Sequence, residues 1–286
     1  MLERLIKLSI SLLLSPVYCI ASAAKRLLGR SANANAVILY YHDIPASARS
    51  RFARQMDTLL RWATPIGADF TSLPARHARC AAVTFDDGFV SFVQNALPEL
   101  EKRDIPVTLF VVTENLGRPA EWLEHTTSQS LCGEPLLTAE QLRNLPGLVT
   151  VGSHTLTHPN LTQIDTAEAK RQLFHSRIRL QEMLGRDIRL LSFPHGAFNE
   201  QLIKLSLETG YERVFTIEPR TVASNDFVAG RIWANPTDWP LEFRLKLLGA
   251  YNWLPLAFTA KRKIRAALRR VTAFRTRRYR RPAQAA

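Results

Sequence analysis

Short, unbroken apolar runs alternate with longer stretches of helical spacing through the middle of this chain. Ala36 to Tyr41, Ala81 to Phe85, Val107 to Val112 and Thr150 to Gly152 read as strands. Phe52 to Ala63, Phe89 to Arg103, Thr138 to Leu145 (with Thr138 as N-cap) and Thr166 to Leu184 read as helices. Strands that alternate with helices predict a parallel α/β architecture. In parallel barrels of this class, chemistry gathers just past the carboxyl ends of the strands.

The two ends of the chain break the pattern. Residues 1–35 form an apolar run from about Leu8 to Ala24, flanked by Arg4 and Lys7 on one side and Lys25, Arg26 and Arg30 on the other. That text fits a cleaved secretory signal, a membrane anchor or interfacial helix, or an ordinary packed helix. Seventeen residues lie at the short edge of a spanning helix, Pro16 interrupts them, and charge on both flanks leaves orientation unspecified. Residues 36–240 form the expected catalytic body, and residues 241–286 a C-terminal extension. Within the extension, Leu241 to Leu248 and Tyr251 to Phe258 fit either a membrane-surface element or a helix that closes the body.

Charge sharpens this division. Of the net +13, eleven positive charges fall between Lys261 and Arg281 with no acid among them, which leaves +2 for the rest of the 286 residues. The composition is therefore that of a near-neutral body with a basic tail suited to anionic lipid head groups, and it does not describe a uniformly basic nucleic-acid binder. Cys19, Cys80 and Cys132 are far apart and offer no disulfide framework; buried thiols are expected.

The chemistry-bearing residues are Asp86-Asp87-Gly88, directly after an apolar run, and His154 and His158, four apart. Asp-Gly is a common turn pair, and a lone histidine pair is often a helix surface feature. Together they say more. Two imidazoles at i and i+4 on a helical turn can reach one metal ion, and Asp87 completes a set of two histidines and one carboxylate with coordination positions left open. Asp86 is then available as a general base. Each ligand histidine is expected to donate its other ring N–H to a carbonyl or carboxylate.

Thr84-Phe85-Asp86-Asp87-Gly88, then His154-Thr155-Leu156-Thr157-His158, then Ser192-Phe193-Pro194-His195-Gly196 resemble, in this order, successive signatures of the NodB-type polysaccharide deacetylases (carbohydrate esterase family 4). Ile105 to Val111 resembles the strand that follows the first signature, and the likeness runs from Ala36 to Pro240. The resemblance implies a distorted (β/α) barrel and assigns Asp86 as base and Asp87, His154 and His158 as metal ligands. It implies that Phe193, Pro194, His195 and Gly196 line the substrate groove and lend a backbone N–H to the oxyanion. Two departures stand out: Ser192 replaces an arginine found in many members, and His195 replaces a tyrosine. No histidine follows His195 to act as general acid, but Tyr40-Tyr41-His42-Asp43 after the first strand resembles the poly-N-acetylglucosamine deacetylase branch, where the acid-bearing segment comes early. His42 is thus the expected proton donor, with an ordinary imidazole pKa of about 6.5 suited to that role, or else a histidine packed at a strand end. Arg231, in Gly230-Arg231-Ile232, either tunes Asp86 or makes a surface salt bridge. Asp238-Trp239 either walls the groove or belongs to the core.

The expectation is a metal-dependent hydrolase that removes N-acetyl groups from N-acetylhexosamines of a polysaccharide or lipid-linked glycan in a bacterial-type cell envelope. It would hold one divalent ion, zinc by preference, with cobalt, nickel and ferrous iron compatible with the same donors, and both termini would meet a membrane surface whose side is undecided. The rival readings are an O-deacetylase on an acetylated glycan, a non-catalytic glycan-binding relative, and a nucleic-acid binder led by the tail.

Overall fold

Parallel pairing of strands organises the molecule. The computed structural model describes residues 1–27 (side chains to residue 16), 36–74, 79–123 and 133–260. The tail from Lys261 to Arg281 and Cys132 lie outside them, as does the side chain of Cys19. Cys80 is buried.

The strands are β1 (Ala36–Tyr41), β2 (Thr64–Pro65), β3 (Cys80–Phe85), β4 (Val107–Val111), β5 (Val149–Ser153), β6 (Leu190–Ser192), β7 (Arg213–Thr216), β8 (Val228–Gly230) and β9 (Ile232–Trp233). Their order is β8-β7-β6-β5-β4-β3-β1-β9, with β2 alongside the start of β3, and every ladder is parallel. A single residue, Arg231, separates β8 from β9. The segment pairs with β7 before it and with β1 after it, so one kinked strand closes the barrel. The expected distorted (β/α) barrel is therefore present.

β1, β3 and β4 are buried along their whole length, because helices cover the outside while the interior is filled. α2 (Arg49–Trp62), α5 (Thr166–Leu184), α6 (Glu200–Glu208) and the shorter α3 (Leu97–Glu101) and α4 (Ala139–Arg143) connect the strands. The α5 boundaries match expectation residue for residue. Asp165 accepts from the Glu168 N–H at one end, and Gly185 adopts φ +63° at the other, where a side chain would be strained. Thr138 caps α4 as predicted.

The helix expected over Phe89–Arg103 is present from residue 90 to residue 101, shorter at both ends and interrupted by a π segment. Phe89 bridges Leu136 instead, and five residues, Phe92–Ala96, form a π-turn before α3. Pro98 has no N–H to donate one turn back, and the ladder shifts just before it, with the Leu97 N–H reaching the Phe92 carbonyl.

α7 (Pro240–Leu247) forms the first part of the C-terminal extension. Phe243, Leu245, Leu247, Ala250, Tyr251 and Leu254 join the main hydrophobic core, so this helix packs on and closes the body. α1 (Leu2–Leu27) leans on it: Arg4 donates to Glu242, and the Trp253 indole N–H donates to Ser11. Among the described residues, no helix is long and apolar enough to cross a membrane.

Candidate active site

Strand register assembles the site. β1 and β3 pair Tyr41 with Phe85, and the Asp86 N–H extends that ladder to the Tyr41 carbonyl, so His42 and Asp86 emerge side by side. On the other side of the barrel, β5 delivers His154, whose N–H donates to Val111 O, and β6 delivers Phe193 to Gly196. All these residues sit at the carboxyl ends of their strands, as expected.

His154 and His158 do converge, with ring centroids 4.9 Å apart, but not on a helix. The expectation of a helical turn is wrong. After β5 the chain makes a loop in which Thr155 and His158 take positive φ, 69° and 59°. Gln172 from α5 pins it by accepting from the Leu156 and Thr157 N–H groups, and the Thr155 hydroxyl accepts from the His158 N–H. Among the described residues, five non-glycines have positive φ, and four of them, Asp87, Thr155, His158 and His195, surround this site. Such backbone strain persists where surrounding contacts over-determine it, and it concentrates at functional centres.

Asp87, His154 and His158 are buried and offer donor atoms all within 4.8 Å of one another. Asp87 Oδ1 lies 3.5 Å from His154 Nε2 and 3.4 Å from His158 Nε2, yet no hydrogen bond reaches it. His154 Nδ1–H donates to the Ser192 carbonyl at 2.8 Å, as expected of a ligand histidine, which leaves the Nε2 lone pair facing Asp87. His158 departs from that expectation: its Nδ1 has no partner. Packing holds this ring instead, with Trp122 stacked on it at 4.5 Å and His195 edge-on at 4.6 Å.

Electrostatics points the same way. Burial pulls His154 down to about 4 and His158 well below its usual value, so both imidazoles are neutral at pH 7. Burial and the adjacent Asp86 push Asp87 well above the usual carboxylate range. A buried carboxyl whose Oδ1 accepts no hydrogen bond, beside two neutral nitrogen donors, is a pocket short of positive charge. These residues fit a divalent cation.

Asp86 is the opposite case. Burial raises its pKa, but the Arg231 guanidinium, through its charge and its hydrogen bonds, together with His154 and His42 outweighs this and lowers it to about 2. The pair is bidentate, Nη1 to Oδ1 at 2.7 Å and Nη2 to Oδ2 at 2.8 Å. Arg231 is 0% exposed, so the surface salt bridge considered above is excluded. It also donates to Thr84 Oγ1 and Ser192 Oγ, and the Tyr40 ring lies 4.8 Å from its guanidinium. The small Ser192 thus occupies the space next to a guanidinium that arrives from the barrel seam.

His42 lines the same cavity, of about 470 Å³, together with Asp86, Asp87, His154, His158, Phe193, His195 and Gly196. Its pKa is lowered by burial, with Asp86 opposing, so the expectation of an ordinary imidazole pKa is corrected: it rests neutral. In the third motif, the Phe193 N–H donates to Phe215 O and the Gly196 N–H to Phe193 O. His195 itself sits at φ 57°.

Two aromatic residues escaped the sequence reading. Trp122 covers His158, and Trp233, 53% exposed, forms a cavity wall. Asp238 and Trp239 do not wall this cavity. Asp238 binds Lys246 at 2.6 Å, and Trp239 stacks under Arg4.

Comparison with known proteins agrees with this geometry. Residues 74–214 match the family model described as polysaccharide deacetylase. A putative polysaccharide deacetylase, YxkH of Bacillus subtilis, is 24% identical over 64% of this chain and 64% of its own length. The poly-β-1,6-N-acetyl-D-glucosamine N-deacetylase of Staphylococcus epidermidis is 27% identical over 50% of each. The match thus spans between half and two thirds of these curated relatives. The structure of IcaB from Ammonifex degensii superposes with a TM-score of 0.60 at 25% identity, covering 75% of this chain and 97% of that one. The Streptococcus pyogenes deacetylase PplD, at 20% identity and a TM-score of 0.62, shares the fold over 75% of this chain and 99% of its own. With its barrel and the ordered signatures at the strand ends, the chain carries a polysaccharide deacetylase domain over residues 74–214, as its NodB-type signatures led one to expect.

Proposed function

We propose that this protein hydrolyses the N-acetyl group of an N-acetylhexosamine within a glycan or lipid-linked saccharide. The observation that carries the reading is the division of labour between two adjacent carboxyls. Asp87 faces two neutral imidazoles with an oxygen that nothing satisfies, while Asp86, in the same cavity, is held ionised by a buried arginine. One is built as a ligand, the other as a base.

Asp87, His154 and His158 would hold the divalent ion, and zinc suits this donor set, which cobalt, nickel and ferrous iron share. When bound, such an ion supplies Lewis acidity, polarising the acetyl carbonyl and lowering the pKa of water towards ~7. Asp86, lowered to about 2, is ionised at neutral pH and is the carboxylate placed to take a proton from a water in the cavity, and Arg231 fixes its orientation. The His195 N–H is the motif donor left for the oxyanion once the Phe193 and Gly196 N–H groups are committed elsewhere. A preorganised donor of this kind contributes about 3 kcal/mol. His42 rests neutral at pH 7, and a proton it acquires is readily passed to the departing amine; the Asp86 charge favours its protonated form.

The test is acetate release from N-acetylglucosamine oligomers by metal-reconstituted protein. Asp86→Asn is expected to lower kcat about 10²- to 10⁴-fold with bound metal unchanged. Undiminished turnover in that variant would remove Asp86 from the chemistry.

A further inference from the structure

Among the described residues, the outer face of α1 is apolar and uncovered. Its inner face is fixed: Leu8 packs against the main core, Ser11 is fully buried under Trp253, and Arg4 is bound to Glu242. On the outside, Leu2 is 73% exposed, Ile6 50% and Leu13 76%. Helical residues 254–260 lie next to this helix, since Trp253 bonds Ser11 and Phe258 shares a cavity with Met1; they add Leu256, 75% exposed, and Phe258, 49% exposed. Scattered apolar side chains on a surface need no explanation, but a helix pinned on one side and studded with leucine and isoleucine on the other presents a contiguous patch.

We infer that this face docks on the surface of an anionic lipid bilayer. The charge of the chain identifies the occupant. The described helical residues 254–260 are followed in sequence by Lys261 to Arg281, which hold eleven Lys and Arg residues and no acid. Two copies meeting face to face would bring two such tails together. Anionic head groups neutralise one tail while the acyl boundary receives Leu2, Ile6, Leu13 and Leu256, the division of roles found in interfacial amphipathic helices.

The docking face adjoins the chemistry. A second cavity of about 440 Å³ lies between the start of α1 and the barrel, lined by Met1, Lys7 and Phe258. It shares Tyr40, Ile217, Trp233 and Asn235 with the catalytic cavity. A bilayer against α1 therefore lies beside the extended groove, so an acceptor displayed at the membrane surface reaches the site without leaving it.

The experiment is flotation of the full chain with vesicles of phosphatidylcholine alone and of phosphatidylcholine with one third phosphatidylglycerol. The expected result is at least tenfold tighter binding to the anionic vesicles, weakened by 0.5 M salt. In the double variant Ile6→Glu, Leu13→Glu, binding is expected to fall at least tenfold while acetate release from a soluble N-acetylglucosamine oligomer is unchanged. Both positions are exposed, so the fold is not at stake. Equal binding by parent and variant, or no vesicle binding by the parent, overturns the proposal. So does a parent dimer that the variant dissociates without any vesicle binding, because the face then belongs to a second copy. Vesicle binding together with an inactive parent would instead leave the docking face standing and sink the deacetylase reading.

Discussion

Two buried charged clusters lie near the top of this barrel, and they are built on opposite rules. At the α1–α7 contact, Lys246 sits 2.6 Å from Asp238 and 3.6 Å from Glu242, and Arg4 is 2.6 Å from Glu242. The Asn235 N–H donates to Asp238 as well. Two positive and two negative groups close on themselves. At the strand ends, Asp87 faces His154 and His158 with nothing donating to its Oδ1. The first cluster satisfies its own charge and needs no visitor. The second is short by one cation, and its backbone is strained as well. Burial alone therefore marks neither cluster as functional; the unmet acceptor does.

The largest expected effect of breaking this contrast is Asp87→Asn. Turnover should fall at least 10³-fold, and the thermal shift produced by adding zinc should vanish. In the parent that shift corresponds to about 2.7 kcal/mol at a hundredfold excess over Kd. The metal-free variant should be more stable than the metal-free parent by about 1 kcal/mol, because an uncompensated carboxyl has been removed from the interior. Melting curves with and without zinc measure both. A metal shift that survives the substitution would break the comparison.

Lys246→Met reverses the pattern. It leaves Asp238 buried without its cation, and removing one partner of a buried pair costs about 3–5 kcal/mol. Chemical unfolding should show that loss, while kcat per folded molecule and metal content stay at parental values. A large fall in kcat at full folding would mean that this cluster also serves the reaction.

His42→Gln sharpens the comparison inside the catalytic cavity. A proton donor matters most when the leaving group is an amine, so turnover of an N-acetyl substrate should fall about 10²-fold. An O-acetyl ester with a phenolate leaving group should suffer much less, because that group departs without a proton. Equal losses on both substrates would make His42 a packing residue at the strand end.

The two clusters were unequally legible from sequence. The strand ends announced themselves, since Asp86, Asp87 and His154 each follow an apolar run, and parallel strands buried on both faces leave such runs uninterrupted. α5 was legible to the residue through its Asp165 cap and Gly185 stop. What the sequence could not disclose was conformation that only tertiary contacts enforce. The spacing of His154 and His158 suggests a helical turn, but Gln172, fourteen residues further on, holds the backbone in a strained loop that brings the rings together by another route. Arg231 read equally well as a surface residue because its burial depends on the seam where β8 gives way to β9. Trp122 and Trp233 carried no motif at all. The Asp238–Lys246–Glu242–Arg4 cluster was invisible, as it joins residues from opposite ends of the chain.

The finest test sets the two neighbouring carboxyls against each other in the metal-free protein. Asp86 has a folded pKa of about 2, below its unfolded value near 3.8, so it contributes stability above pH 4 that is lost as pH falls from about 4 through about 2. Asp87 is shifted the other way, so its contribution is full below about pH 3.8 and is lost as pH rises through its raised folded value. Urea unfolding between pH 3 and pH 7 should therefore show slopes of opposite sign. Asp86→Asn should cost more as pH rises through the lower part of this range, and Asp87→Asn should become progressively more stabilising, each change being on the order of 1 kcal/mol. Saturating zinc should abolish the second trend, because a bound cation keeps Asp87 ionised, and leave the first in place above the pH at which the ligands protonate. If both variants followed the same slope, Arg231 would not be separating the two carboxyls, and the assignment of one as base and the other as ligand would lose its electrostatic basis.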